Sequence, residues 1–244
     1  MAKTNALNVR LYAGSGTSSK DLSGDVSALT NFGISANLLS VSTLADAAEA
    51  RIQGSQSSTI GVSSFFDTSL GHTVWSGLPT GDQNVMIPMQ SGTLGGATLH
   101  TKALQANYNT SGDAGTSPVS CEVSYESTGG SDNPAFGVSL TAGKITSASA
   151  ENLADVDNTA ATTNGWTACL FCFSIASGSI IVKLQDSPDD VTYTDLTGGT
   201  FSTLSGVGSE IIASASGASV ARYVRASLTS TYGTAVLAVS FNRK

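Results

Sequence analysis

The stretch "IVKLQDSPDDVTYTDL" (residues 181–196) packs four aspartates, Asp186, Asp189, Asp190 and Asp195, into ten residues. It reads either as a metal-binding loop or as the turn of a β-hairpin. Before the acids, Ile180, Val182 and Leu184 alternate with Ile181, Lys183 and Gln185, the period-two pattern of a half-buried strand. After them, Val191, Tyr193 and Asp195 alternate with Thr192, Thr194 and Leu196, in β-branched and aromatic residue types. Between the runs stands Asp-Ser-Pro-Asp-Asp, whose side chains bond their own backbone and whose proline presets φ. A calcium loop needs about six or seven oxygens and usually a glycine at its sharp turn. The first glycine here is Gly198, and the EF-hand spacing is missing. The stretch reads as a hairpin.

The same alternation recurs along the chain. Residues 6–13, 58–66, 84–90, 97–108 and 119–125 read as strands of a first unit. Residues 167–176, 179–185, 191–196, 209–214, 220–229 and 234–241 read as strands of a second. Many short strands between Gly, Ser, Asn and Asp turns mean an all-β chain of sandwich or barrel type. Residues 144–165 have no apolar period and read as a linker or a long surface excursion. The expected boundary therefore separates a β domain over 1–150 from a β-sandwich over 151–244.

One segment breaks the pattern, "STLADAAEARIQG" (residues 42–54). Thr43 suits a helix cap, with Asp46 three residues later. Leu44, Ala47, Ala48 and Ile52 fall on one helical face, and Gly54 is placed to end the helix. Asp46 and Glu49 near its start and Arg51 near its end complement the macrodipole. A short helix is expected near 43–53.

Composition excludes several function classes. Of 244 residues only 12% are charged, against the usual ~25%, so Ser, Thr, Asn and 26 glycines must supply the polar surface. Net charge is −7, with both halves acidic, and no basic cluster of four residues occurs. Sequence-specific duplex binding is not expected, because it needs many Lys and Arg at the phosphates. No run of 18 apolar residues occurs, and "MAKTNALNVR" lacks the apolar core of a signal peptide. A membrane span and secretion by that route are not expected. Three cysteines, an odd number, fit reduced thiols and synthesis in a cytoplasm.

Candidate chemistry is sparse. Cys169 and Cys172 have a C-x-x-C spacing, but inside an alternating strand residues three apart face opposite sides, and a zinc ribbon needs a second pair. His72 lies among turn residues and His100 in a strand, and neither is joined by spacing to a nucleophilic serine. "SGTLGGAT" (residues 91–98) lacks both the dinucleotide fingerprint and the lysine of a phosphate loop. No catalytic residue, cofactor or metal is expected, and the chain does not read as an enzyme.

Two resemblances add to this. "VKLQDSPDDVTYTDL" (182–196) together with "ARYVRASLT" (221–229) resembles the discoidin or galactose-binding jelly rolls, without the clustered loop aromatics that stack on sugars. "DLSGDVSAL" (21–29), "VSTLADAAEARIQG" (41–54) and "STIGVSSFFD" (58–67), in that order, resemble the major tail (tail tube) proteins of long non-contractile-tailed bacteriophages. The C-terminal unit is similar to the extra Ig-like or jelly-roll β-sandwich that many of these carry. The resemblance implies a virion protein of the phage tail, made in the bacterial cytoplasm. It also implies rings, hexameric in that family, stacking into a tube that conducts DNA during ejection. Its partners would be further copies, other tail proteins such as tape measure and terminator, and passing DNA without sequence-specific contact. An acidic or uncharged wall suits that passage, since duplex DNA carries about one charge per ~1.7 Å. Asp46, Glu49 and Arg51, unusual in a chain so poor in charge, are the expected subunit interface, where charges fix register. The composition also allows a head decoration or other capsid-surface protein, or a carbohydrate-binding β-sandwich module.

Overall fold

A computed structural model describes residues 9–43, 48–112, 118–128 and 134–244. As the alternating runs require, it is nearly all β. The first half holds β1 (Tyr12–Gly14), β2 (Lys20–Asp21), β3 (Val26–Thr30), β4 (Ser35–Ser40), β5 (Arg51–Ser57) and β6 (Thr59–Phe65). A five-residue helix, α1 (Gly71–Trp75), then precedes β7 (Gln83–Pro88), β8 (Ala97–Ser111), β9 (Ser120–Ser127) and β10 (Ala135–Ser139). The second half holds β11 (Ile145–Ser147), β12 (Glu151–Asn152), β13 (Val156–Asp157), β14 (Trp166–Ile175) and β15 (Ile181–Ser187). It ends with β16 (Thr194–Thr200), β17 (Gly208–Ala213), β18 (Tyr223–Thr229) and β19 (Ala235–Arg243).

The order β2-β1-β7-β8-β9-β6-β3 is antiparallel throughout and wraps one core. Inward residues such as Ile60, Val62, Val85, Ile87, Leu99 and Val123 meet there with Trp75 of α1. Trp75 is fully buried, and its indole N–H donates to the Tyr125 hydroxyl at 2.7 Å. The Gln105 amide donates to the Trp75 carbonyl, so the helix is held by polar bonds as well as by packing.

The second half is a sandwich. One layer is β17-β14-β19 with β11, and the other is β12-β18-β15-β16 with β13. Trp166, Leu170, Leu237 and Val239 face Val182, Leu184, Val224, Ala226 and Leu228 in its core. Val224, Ala226 and Leu228 point inward on β18 as the alternation requires.

The two halves share one continuous sheet, because β10 lies between β8 and β19. His100 on β8 is fully buried at this junction, bonded to Ser240 Oγ through Nδ1 (2.9 Å) and to Thr167 Oγ1 through Nε2 (3.0 Å). A small apolar cluster joins Tyr12 and Met86 of the first half to Cys169, Phe171, Ile211 and Ala238 of the second. Lys144 pairs with Asp21 at 2.5 Å and lies over the Phe173 ring.

Three expectations need correction. The helix near 43–53 does not form over its described end. Arg51, Ile52, Gln53 and Gly54 belong to strand β5, paired with β4, while Leu44, Ala45, Asp46 and Ala47 lie outside the described residues. The reason is energetic: a helix of about twelve residues is marginal in water, and its alanine-rich face buries little. Residues 35–40 offer a ladder that satisfies the same backbone groups. The strand expected at 191–196 starts only at Thr194, because the turn itself extends through residue 193. Residues 144–165 are not purely a linker, since β11 pairs with β19, and β12 and β13 pair with β18.

Candidate assembly surface

The β4–β5 ribbon is a separate two-stranded sheet, with no ladder to any other described strand. Leu39 lies directly opposite Ile52, and Ser35 opposite Ser57. The pairing continues past the strands, with Val41 N–H donating to the Ala50 carbonyl and Ala50 N–H to Ser42 Oγ at 2.7 Å. With strands of six and seven residues rising ~3.3 Å each, the ribbon is about 20 Å long. Its apolar side chains are about half exposed: Leu38 is 57% exposed, Leu39 46%, Val41 44% and Ile52 52%. They belong to none of the buried cores. A lone two-stranded ribbon is at best marginally stable in water, and exposed apolar clusters mark interaction surfaces.

Two of the three expected interface residues, Glu49 and Arg51, are described, and they lie at the turn end of this ribbon. Arg51 opens β5, opposite Ser40, and its guanidinium donates to the Glu49 carboxylate at 2.7 Å, both side chains about half exposed. Asp46 lies outside the described residues. Sequence reasoning singled out charged residues of this segment and passed over the exposed Leu38, Leu39 and Val41 beside them. Leu38 and Leu39 sit in "SANLLS", with β5 following within a dozen residues, which was the available sign of a ribbon.

The outward face of β6 and β9 is a second surface with a distinct character. Thr59, Gly61, Ser63, Ser124, Glu122 and Glu126 point away from the core, and the two glutamates are the only charged residues of these strands. Thr59 Oγ1 donates to the Glu126 carboxylate at 2.7 Å. The face is mainly small and polar and carries two acids, with Phe65, 52% exposed, at its end.

The acidic stretch at 186–190 forms the β15–β16 connection. Asp189 Oδ1 accepts from Ser187 Oγ and from the backbone N–H groups of Val191 and Thr192, which holds its carboxyl below the usual range. Asp186 accepts from the Ala221 N–H, Asp190 from the Tyr193 hydroxyl, and Asp195 from Lys183 and Gln185. Each carboxylate is thus committed to the hairpin and its flanks. Among the described residues no group of three or more His, Cys, Asp or Glu side chains is placed to hold a metal.

Cys169 and Cys172 are free thiols buried in β14. Cys169 packs with Phe171 in the junction cluster, whereas Ala168 and Leu170 face the sandwich core. Burial raises both thiols, Cys172 to about 11, so neither is a ready nucleophile. His72, on α1, bonds the Tyr108 hydroxyl at 2.8 Å, which in turn lies 3.5 Å from Cys121 Sγ; this chain ties α1 to β8 and β9. No described helix is long and apolar enough to cross a membrane.

No family model matches the chain, and no curated protein does. Solved structures are similar at low identity. A chain of the virion of the native gene transfer agent particle matches with a TM-score of 0.42 at 12% identity, covering 55% of this chain and 98% of that one. A chain of the extended PVC sheath-tube complex, from an extracellular contractile injection system, has a TM-score of 0.43 at 12% identity, covering 56% and 92%. The SPP1 Dit protein, described as a paradigm of the hub adsorption apparatus in phages infecting Gram-positive hosts, covers 96% and 99% at a TM-score of 0.34 and 12% identity. Likeness at these TM-scores carries no argument about function, which rests on the surfaces above.

Proposed function

We propose that this chain is a structural protein of a phage virion, a tail-tube subunit whose copies close into rings and stack into a conduit for DNA. The observation that supports this is the β4–β5 ribbon, a half-exposed apolar arm that belongs to none of the buried cores among the described residues. Such an arm is stabilised only by docking on another molecule, and the supply of identical molecules makes self-association the direct solution. The acidic outer face of β6 and β9 suits the wall of the conduit. Glu122 and Glu126 repel phosphates, and the side chains beside them are small apart from Phe65 at the strand end. Asp46, Glu49 and Arg51 then set register between neighbours. The ring of six and the tape-measure and terminator partners follow from the sequence resemblance. The sandwich of the second half sits outside the wall.

The test is negative-stain imaging of the purified chain across a concentration series, with sedimentation in parallel. Rings or tubes are expected, with ends that grow as concentration rises. A strictly monomeric protein at high concentration sinks the proposal.

A further inference from the structure

A cleft of about 550 Å³ lies between the β1–β2 turn and the segment that runs from α1 to β7, with Gln83 on its floor. Val85 and Ile87 on the same strand turn into the first core. By the period of two, Gln83 turns inward as well, at the end of the strand where the cleft opens. Gln83 is 6% exposed, and its Oε1 has no hydrogen-bond partner. A buried acceptor of this kind costs stability until a donor reaches it. The walls of the cleft differ in chemistry. On one, the exposed Asp82 carboxylate adjoins Gln83, so this side offers acceptors. On the other, the exposed Lys20 ammonium stands with the Ser15 and Ser18 hydroxyls, so this side offers donors. Neither Lys20 nor Asp82 has an ion-pair partner among the described residues. Val74 and Pro79 add an apolar patch.

We propose that this cleft binds a small zwitterion of the amino acid or dipeptide class, its ammonium on Asp82 and Gln83 and its carboxylate on Lys20 and the two serines. Opposite charges on different walls of one cleft select for such a ligand. A simple amine meets the like charge of Lys20, a simple carboxylate meets that of Asp82, and only a molecule carrying both charges matches both walls. The ammonium also supplies the donor that Gln83 Oε1 lacks, in a charge-assisted bond. The volume lies within the range of about 300–1,000 Å³ usual for small-molecule sites, and Val74 and Pro79 receive an apolar side chain. The donor wall is built in advance. A Cβ on Gly14 would meet the Ser18 carbonyl oxygen at 2.2 Å, so the glycine lets the turn close tightly, and Ser18 N–H donates to the Ser15 carbonyl at 2.9 Å. Ser209 of the second half donates to that same carbonyl through its N–H (3.2 Å) and its Oγ (2.9 Å). A wall held in this way needs little ordering when a ligand arrives. The cleft is separate from the β4–β5 ribbon, so it stands or falls independently of the tube reading.

Saturation-transfer NMR on the full chain tests this with three peptides: glycyl-valine, N-acetyl-glycyl-valine, which lacks the ammonium, and glycyl-valinamide, which lacks the carboxylate. Glycyl-valine should bind saturably and about tenfold more tightly than either of the others, since each of those loses one charge-assisted contact. Asp82→Asn should remove the preference over the acetylated peptide and keep the preference over the amide. Lys20→Gln should do the reverse. Both positions are exposed, so the fold is not at stake. Gln83→Leu removes an acceptor that has no partner in the subunit, so the thermal melt should hold while glycyl-valine binding weakens. Equal binding of the three peptides, or no saturable binding, overturns the proposal. So does a preference for glycyl-valine that survives both Asp82→Asn and Lys20→Gln.

Discussion

Replacing Leu39 and Ile52 together with serine separates a docking arm from a folding element. Full burial of such a side chain is worth roughly 1.5–3 kcal/mol. In the subunit Leu39 is 46% exposed and Ile52 52%, so docking has about half of that still to gain, roughly 0.7–1.5 kcal/mol for each. The pair therefore contributes about 1.5–3 kcal/mol per contact, or roughly 10- to 150-fold in the association constant. Within the subunit the loss is confined to one cross-strand pair, about 0.2–1 kcal/mol, in a ribbon that touches neither large core. The threshold concentration for assembly, read by sedimentation, should rise at least tenfold on that scale. The thermal melt of the dilute subunit should stay within about a degree or two, since the ribbon lies outside its cooperative cores. An unchanged threshold refutes the docking role. A melt that falls by many degrees shows instead that the ribbon belongs to the subunit's own core.

Other outcomes follow from the junction between the halves. His100→Leu removes the ring that bonds Ser240 and Thr167 in a fully buried site, so chemical denaturation should show a loss of about 2–4 kcal/mol. At Asp21, burial raises the carboxyl pKa, but hydrogen bonds from Lys144 and Ser23 outweigh it and leave the pKa lowered. A pKa depressed on folding stabilises the native state above the ordinary carboxylate value and loses that contribution as pH falls through the depressed one. With Lys144 40% exposed, the pair is worth at most about 1 kcal/mol, and Asp21→Asn should flatten that part of an acid-denaturation curve. A fragment of residues 1–150 lacks β19, the partner of β10 and β11, and uncovers Tyr12 and Met86. It should melt well below the full chain or precipitate; a fragment as stable as the whole protein would falsify the view that the junction is structural.

Local sequence was enough wherever a residue's role depends on its immediate neighbours. The alternation around residues 181–196 determined a hairpin, and Asp189 closes it through bonds to residues two and three positions on. The inward set Val224, Ala226 and Leu228 follows from the period of a strand, whatever that strand packs against. The spacing of Cys169 and Cys172 inside such a strand already separated their faces. Residues 51–54 were different, because "ADAAEARIQ" (45–53) carries a helical pattern and only the ladder with residues 35–40 decides for a strand. Backbone hydrogen bonds can be satisfied within a helix or across to a partner strand. The choice turns on where the partner lies, which no window of a dozen residues contains. The helix that does form, Gly71–Trp75, is too short to show a period and exists because Trp75 fills the core and bonds Tyr125, fifty residues away. The same holds at the junction. That His100 meets Thr167 and Ser240, and that β10 stitches β8 to β19, depends on pairings far outside any local window of sequence. Periodicity tells which face of a strand turns inward; only the assembled sheet tells which strands meet and which apolar surfaces remain uncovered.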